Sequence, residues 1–172
     1  MGHLEDQLDP RDRAEADAQR AAVEAERAAM LAESAGNFDT MAKTFADMGY
    51  DQVAKDIGHE ATRETVSAAY DNVQGRHWAN AAHDWTVTAD SLDQQAKARG
   101  EAFVARAEHS QAEDMLQQAH TGEDTTHLTV ASAATGAMAT ALDERAVQLG
   151  HDAEAAGSLA LDEEAMARGT HE

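Results

Sequence analysis

The chain of 172 residues contains no cysteine, a single proline and few aromatic residues. Without cysteine there can be no disulfide, no thiolate metal site and no thiol nucleophile. With one proline, little interrupts a helix, and abundant alanine favours one. No apolar run approaches the roughly 20 residues of a membrane span. No stretch alternates polar and apolar residues as a half-buried strand does. The N-terminus, Met1-Gly2-His3-Leu4-Glu5-Asp6, lacks the basic start and apolar centre of a signal peptide. A cytoplasmic location is the expectation, with no membrane partner.

Basic residues are also scarce. Thirteen Lys and Arg face 33 Asp and Glu, for a formal charge of −20. Acids outnumber bases in every quarter of the chain, so the charge is a property of the whole surface rather than of a tail. Such a field repels phosphate backbones and anionic membranes, which argues against direct nucleic-acid binding.

What is present is helical periodicity. From Trp78 to Phe103, the residues Trp78, Ala82, Trp85, Ala89, Leu92, Ala96 and Phe103 recur at steps of four and three, with one gap at Arg99. That spacing draws one apolar stripe along a helix. Both tryptophans lie on it, separated by alanines, and large and small residues in alternation suit an interlocking helix interface.

Taken in order, residues 1–9 read as a frayed lead-in ending in a helix start. Asp9 can cap and Pro10 can occupy the first helical position, where its missing N–H costs nothing. A first helix should run to Ala35 and stop at Gly36. On it Ala14, Ala18, Ala21, Ala25, Ala28, Ala32 and Ala35 form a seam at which a partner backbone can approach closely. A second helix should start at Asn37 and end at Met48-Gly49-Tyr50. A third should start at Asp51, kink near Gly58 and end at Gly75, and a fourth should carry the tryptophan stripe. After a turn at Thr121-Gly122, Leu128, Ala131, Thr135, Met138, Leu142, Ala146, Leu149 and Ala153 make the face of a fifth. Gly100, Gly150 and Gly157 are candidate breaks, and residues 169–172 should fray. The expected fold is all-α: an up-and-down antiparallel bundle of four to five helices, one or two of them long, forming a single domain over residues 10–168.

Chemistry-bearing motifs are sparse. His109 with Glu113, and His120 with Asp124, each lie one turn apart and are the candidate metal ligands. A ferritin-like site needs Glu-x-x-His on two helices, and no histidine here has glutamate three residues before it. There is no nucleophile elbow and no phosphate-cradling glycine loop before a lysine. No cofactor is expected. Phe45-Ala46-Asp47-Met48-Gly49-Tyr50-Asp51, with Ala54, resembles the Met-Gly-Phe/Tyr loop of ubiquitin-associated domains. That resemblance implies a partner-facing loop at Met48, Gly49 and Tyr50.

The reading that follows is a non-catalytic helical protein acting through helix–helix contact, with itself as a homo-oligomer or with another protein. Two alternatives are an acidic mimic of nucleic acid that occupies a basic DNA-binding protein, and a metal-binding ferritin-like bundle.

Overall fold

The computed structural model describes residues 9–169; the expected fraying of residues 1–8 and 170–172 lies outside the described residues. Three helices account for nearly all of it: α1 (Pro10–Asp47), α2 (Asp51–Gln118) and α3 (Thr126–Arg168). The all-α class holds, and there is no strand among the described residues. The expectation of four to five helices is overturned. The first and second expected helices are one, and so are the third and fourth.

Glycine does not stop these helices. In a helix interior it costs about 1 kcal/mol relative to alanine, less than long helix-forming flanks restore. Asn37 therefore sits inside α1 instead of capping a new helix. Gly58, Gly75 and Gly100 lie within α2, and Gly150 and Gly157 within α3. Threonines one turn on also bond to the glycine carbonyls, Thr40 Oγ1 to Gly36 O at 2.9 Å and Thr62 Oγ1 to Gly58 O at 3.0 Å.

The true ends have definite causes. Asp9 Oδ1 accepts from Arg11 N at 2.9 Å, with Pro10 at the first helical position. Between α1 and α2, Gly49 takes φ +84°, and its N–H donates to Ala46 O at 2.9 Å. Tyr50 N–H then donates to Phe45 O, and the two rings meet edge to face with centroids 6.2 Å apart. At the start of α3, Asp124 Oδ1 accepts from Thr126 N at 3.0 Å. Hydrogen bonding to Thr126 holds the Asp124 carboxyl below the usual carboxylate range.

The chain packs as two compact units, Met1–Thr86 with Gly157–Glu172, and Val87–Ala156. In the first, α1 runs antiparallel to the start of α2. Arg13 meets Trp85, Arg20 meets Trp78 and Arg27 meets Asp71, so seven residues forward on α1 match seven back on α2. Gly75 is buried where the two backbones come close; a Cβ there would lie 3.4 Å from Ala21 O. The last three turns of α3 join this unit through the buried Ala160, Glu164 and Ala167. In the second unit, the rest of α2 pairs with α3 through Gln95 Nε2 to Ala146 O at 2.9 Å and an Arg106–Asp143 ion pair.

The buried faces depart from the sequence stripes by a residue or two. On α1 the inward positions are Ala14, Asp17, Ala21, Glu24, Ala28, Leu31 and Ala35, while Ala18, Ala25 and Ala32 are exposed. On α2 the stripe holds from Trp78 through Ala89. Leu92, Ala96 and Phe103 then turn outward, and Ala98, Ala102, Ala105 and Ala112 are buried instead. On α3, Ala131 and Met138 are exposed and Ser132 and Ala139 buried. Trp78 and Trp85 are the only buried apolar side chains larger than alanine among the described residues.

Candidate functional site

The first unit contains the most concentrated chemistry. Three helices bring two carboxyl groups together there: Asp17 from α1, 1% exposed, and Glu164 from α3, 5% exposed. Asp17 is the inward position that a seam at steps of three and four assigns between Ala14 and Ala21. Glu164 sits four residues past the buried Ala160 and three before the buried Ala167. The backbone period, not the polarity of the side chain, put both inside.

Each carboxyl is partly satisfied. Asp17 Oδ1 accepts from Arg20 Nη1 at 2.7 Å. Glu164 Oε1 accepts from Trp85 Nε1 at 2.8 Å, and Oε2 accepts from Arg168 Nη2 at 2.7 Å. Arg13 Nη1 stands 3.9 Å from Glu164 Oε1. Asp17 Oδ2 is buried without a donor. The buried Glu164 carboxyl acts on that of Asp17, and two ionised carboxylates cannot bond each other. A proton on Asp17 resolves the conflict. Burial first, and then the Glu164 charge, push the Asp17 carboxyl up to about 6, against the pull of Arg20.

The tryptophans wall this cluster. Arg13 lies over the Trp85 ring at 4.5 Å, while Arg20 and Arg168 lie over Trp78 at 4.7 and 5.7 Å. Next to it, Glu163 accepts from His77 Nδ1 at 2.6 Å and from Asn80 Nδ2 at 3.4 Å. A groove of about 500 Å³ reaches Arg20 and Trp78, and is otherwise lined by Ala16, Gln19, Val23 and Glu24. Neither Asp17 nor Glu164 lines it. Both carboxyls are buried away from that groove.

Of the sequence candidates, His109 and Glu113 come together in the second unit, through Ser132 of α3. His109 Nδ1 donates to Ser132 O at 2.8 Å and lies 3.1 Å from Ser132 Oγ, which donates to Glu113 Oε1. Gly136 makes room for the His109 ring, since a Cβ there would come within 3.3 Å of it. The Ser132 proton points at a carboxylate rather than at histidine, and Ser132 is buried, so this is a polar tie between helices and not a nucleophile. His120 and Asp124 lie in the α2–α3 link, where Asp124 is spent on capping and the His120 N–H donates to Glu123 Oε2 at 3.1 Å. Among the described residues no three metal-type side chains group together.

The interaction candidates divide. Ala28 is buried, Ala14 and Ala21 are half-buried, and Ala18, Ala25 and Ala32 are exposed. Ala21 and Ala25 line a second groove with Ala22, Asn72, Gly75 and Ala79. Met48, Gly49 and Tyr50 are exposed in the α1–α2 turn. Sequence reasoning missed Asp17 and Glu164 because acids on amphipathic helices default to solvent. The available signal was positional: Asp17 falls seven before Glu24, on a line with Ala28 and Leu31.

Among the described residues no helix is long and apolar enough to cross a membrane. No family model matches the chain, and neither a curated protein nor a solved structure matches it.

Proposed function

We propose that this protein acts without catalysis, by helix–helix contact with a second protein chain: a further copy of itself or another helical protein. The supporting observation is an inversion of side-chain size. Among the described residues the buried apolar positions are alanine apart from two tryptophans, whereas Val23, Met30, Val66, Phe103, Val130 and Val147 are all more than half exposed. Phe103 reaches 70% and Met30 66%.

Burying a Val, Met or Phe side chain is worth about 1.5–3 kcal/mol, against roughly 0.8 kcal/mol for one methyl-sized group. A chain that leaves these large apolar groups outside while alanines fill its interior holds that free energy in reserve for association. Close-set alanine seams leave thin helix pairs, and a further helix laid along such a pair covers the outer residues. The charge tunes the association. At −20, like chains repel at low salt, and screening relieves the repulsion.

Light scattering on purified protein from micromolar to millimolar, at low and high salt, tests the reading. The expected result is a mass above the monomer that rises with concentration and with salt. A monomer throughout, in protein that also captures no helical protein, contradicts it.

A further inference from the structure

Asp17 on α1 and Glu164 near the end of α3 are both buried in the first unit, and the proposed association makes no use of them. Only three turns of α3 belong to that unit, seated by two alanines, Ala160 and Ala167, and by the carboxylates of Glu163 and Glu164. Little apolar area is available to hold them. The polar contacts therefore carry an unusual share of the attachment, and one atom among them, Asp17 Oδ2, lacks a donor.

The geometry points to a proton-operated latch. With a proton on Asp17, Oδ2 donates to Glu164 and the last turns of α3 stay seated against Trp78 and Trp85. With both carboxyls ionised, the pair faces itself across a buried gap, the seat loosens, and residues 157–168 open from α1 and α2. The proton passes to solvent.

The charged groups around the pair are known from each helix. Arg13 and Arg20 approach from α1, holding Glu164 and Asp17 respectively, and Arg168 from α3 holds Glu164. On α2, His77 binds Glu163 and Asp84 precedes Trp85 in the sequence. The arginines neutralise the bonded oxygens and leave Oδ2 as the one that needs hydrogen. An Asp17 carboxyl raised from 3.8 to about 6 places the change in the mildly acidic range.

Hydrogen exchange of the full chain, corrected for intrinsic rates, reads the latch directly. Protection of residues 157–168 should fall about tenfold between pH 5 and pH 8, with little change over 126–150. Asp17→Asn supplies a permanent donor in the same shape and should keep the pH 5 level of protection at both values. Glu164→Gln, with its own amide facing Asp17, should flatten the profile as well, so a folding failure of one variant leaves the other to decide. His77→Gln should retain the wild-type slope. Equal protection at the two pH values in wild type overturns the latch. So does a slope that survives both isosteric variants, or one that disappears with His77.

Discussion

Trp85 on α2 and Glu164 on α3 meet through a 2.8 Å hydrogen bond, from the indole Nε1 to a carboxylate oxygen of a glutamate that is 5% exposed. Residues 79 positions apart thus share a buried polar contact in the first unit. The Arg13 guanidinium lies over the same indole. The tryptophan serves as donor, as wall and as cation platform at once.

Trp85→Phe keeps most of the apolar area and removes the donor. Leaving a buried carboxylate oxygen short of a partner costs about 1–3 kcal/mol. Urea unfolding should show a lower midpoint with an unchanged slope. An unchanged midpoint would mean that the indole N–H contributes nothing.

The Asp17 carboxyl sets the sign of the pH dependence. Its folded value, about 6, lies above the ordinary 3.8, so the native state holds a proton that the unfolded chain has released. Its contribution to stability is full below pH 4 and is lost as pH rises through 6, amounting to on the order of 2–3 kcal/mol. Asp17→Asn should remove that component, which appears as the difference between wild-type and variant unfolding free energies measured from pH 4.5 to 8. A difference that stays constant with pH contradicts it.

The register of α1 can be tested with a matched pair. Ala28 is 1% exposed, so Ala28→Leu must push α1 from α2 and cost about 1–3 kcal/mol. Ala32 is exposed, and Ala32→Leu should change thermal stability by no more than about 0.5 kcal/mol. The reverse order would restore the all-alanine seam.

Much of this architecture is legible in the chain. Asp9-Pro10 starts a helix, Met48-Gly49-Tyr50 ends one, and Trp78, Ala82, Trp85 and Ala89 share a buried face as their spacing requires. The rest was obscured by alanine itself. With alanine on several faces of α1, the line through Ala18, Ala25 and Ala32 looks as apolar as the true one, and choosing it sends Asp17 and Glu24 to solvent. The acidic run Asp162-Glu163-Glu164 likewise reads as a polar end until its neighbours Ala160 and Ala167 fix its phase. The number of helices was hidden by glycines that the helices absorb.

Gly58 and Gly100 show that absorption most clearly, since a Cβ at either meets nothing within 4 Å. Gly58→Ala and Gly100→Ala should each raise stability by about 0.5–1 kcal/mol. A loss at either site in thermal unfolding would show that the backbone leaves the helix there.

The most direct test of the outward-facing apolar surface is methionine oxidation, compared between the protein in its native cell and the purified chain at high dilution. Met30, Met41 and Met138 are each about half exposed or more in the single chain. Association predicts that at least one is oxidised several-fold more slowly in the cell, with the unprotected sites marking the face left open. Equal rates at all three in both settings would mean that no other chain covers these faces of α1 and α3, and would contradict the account.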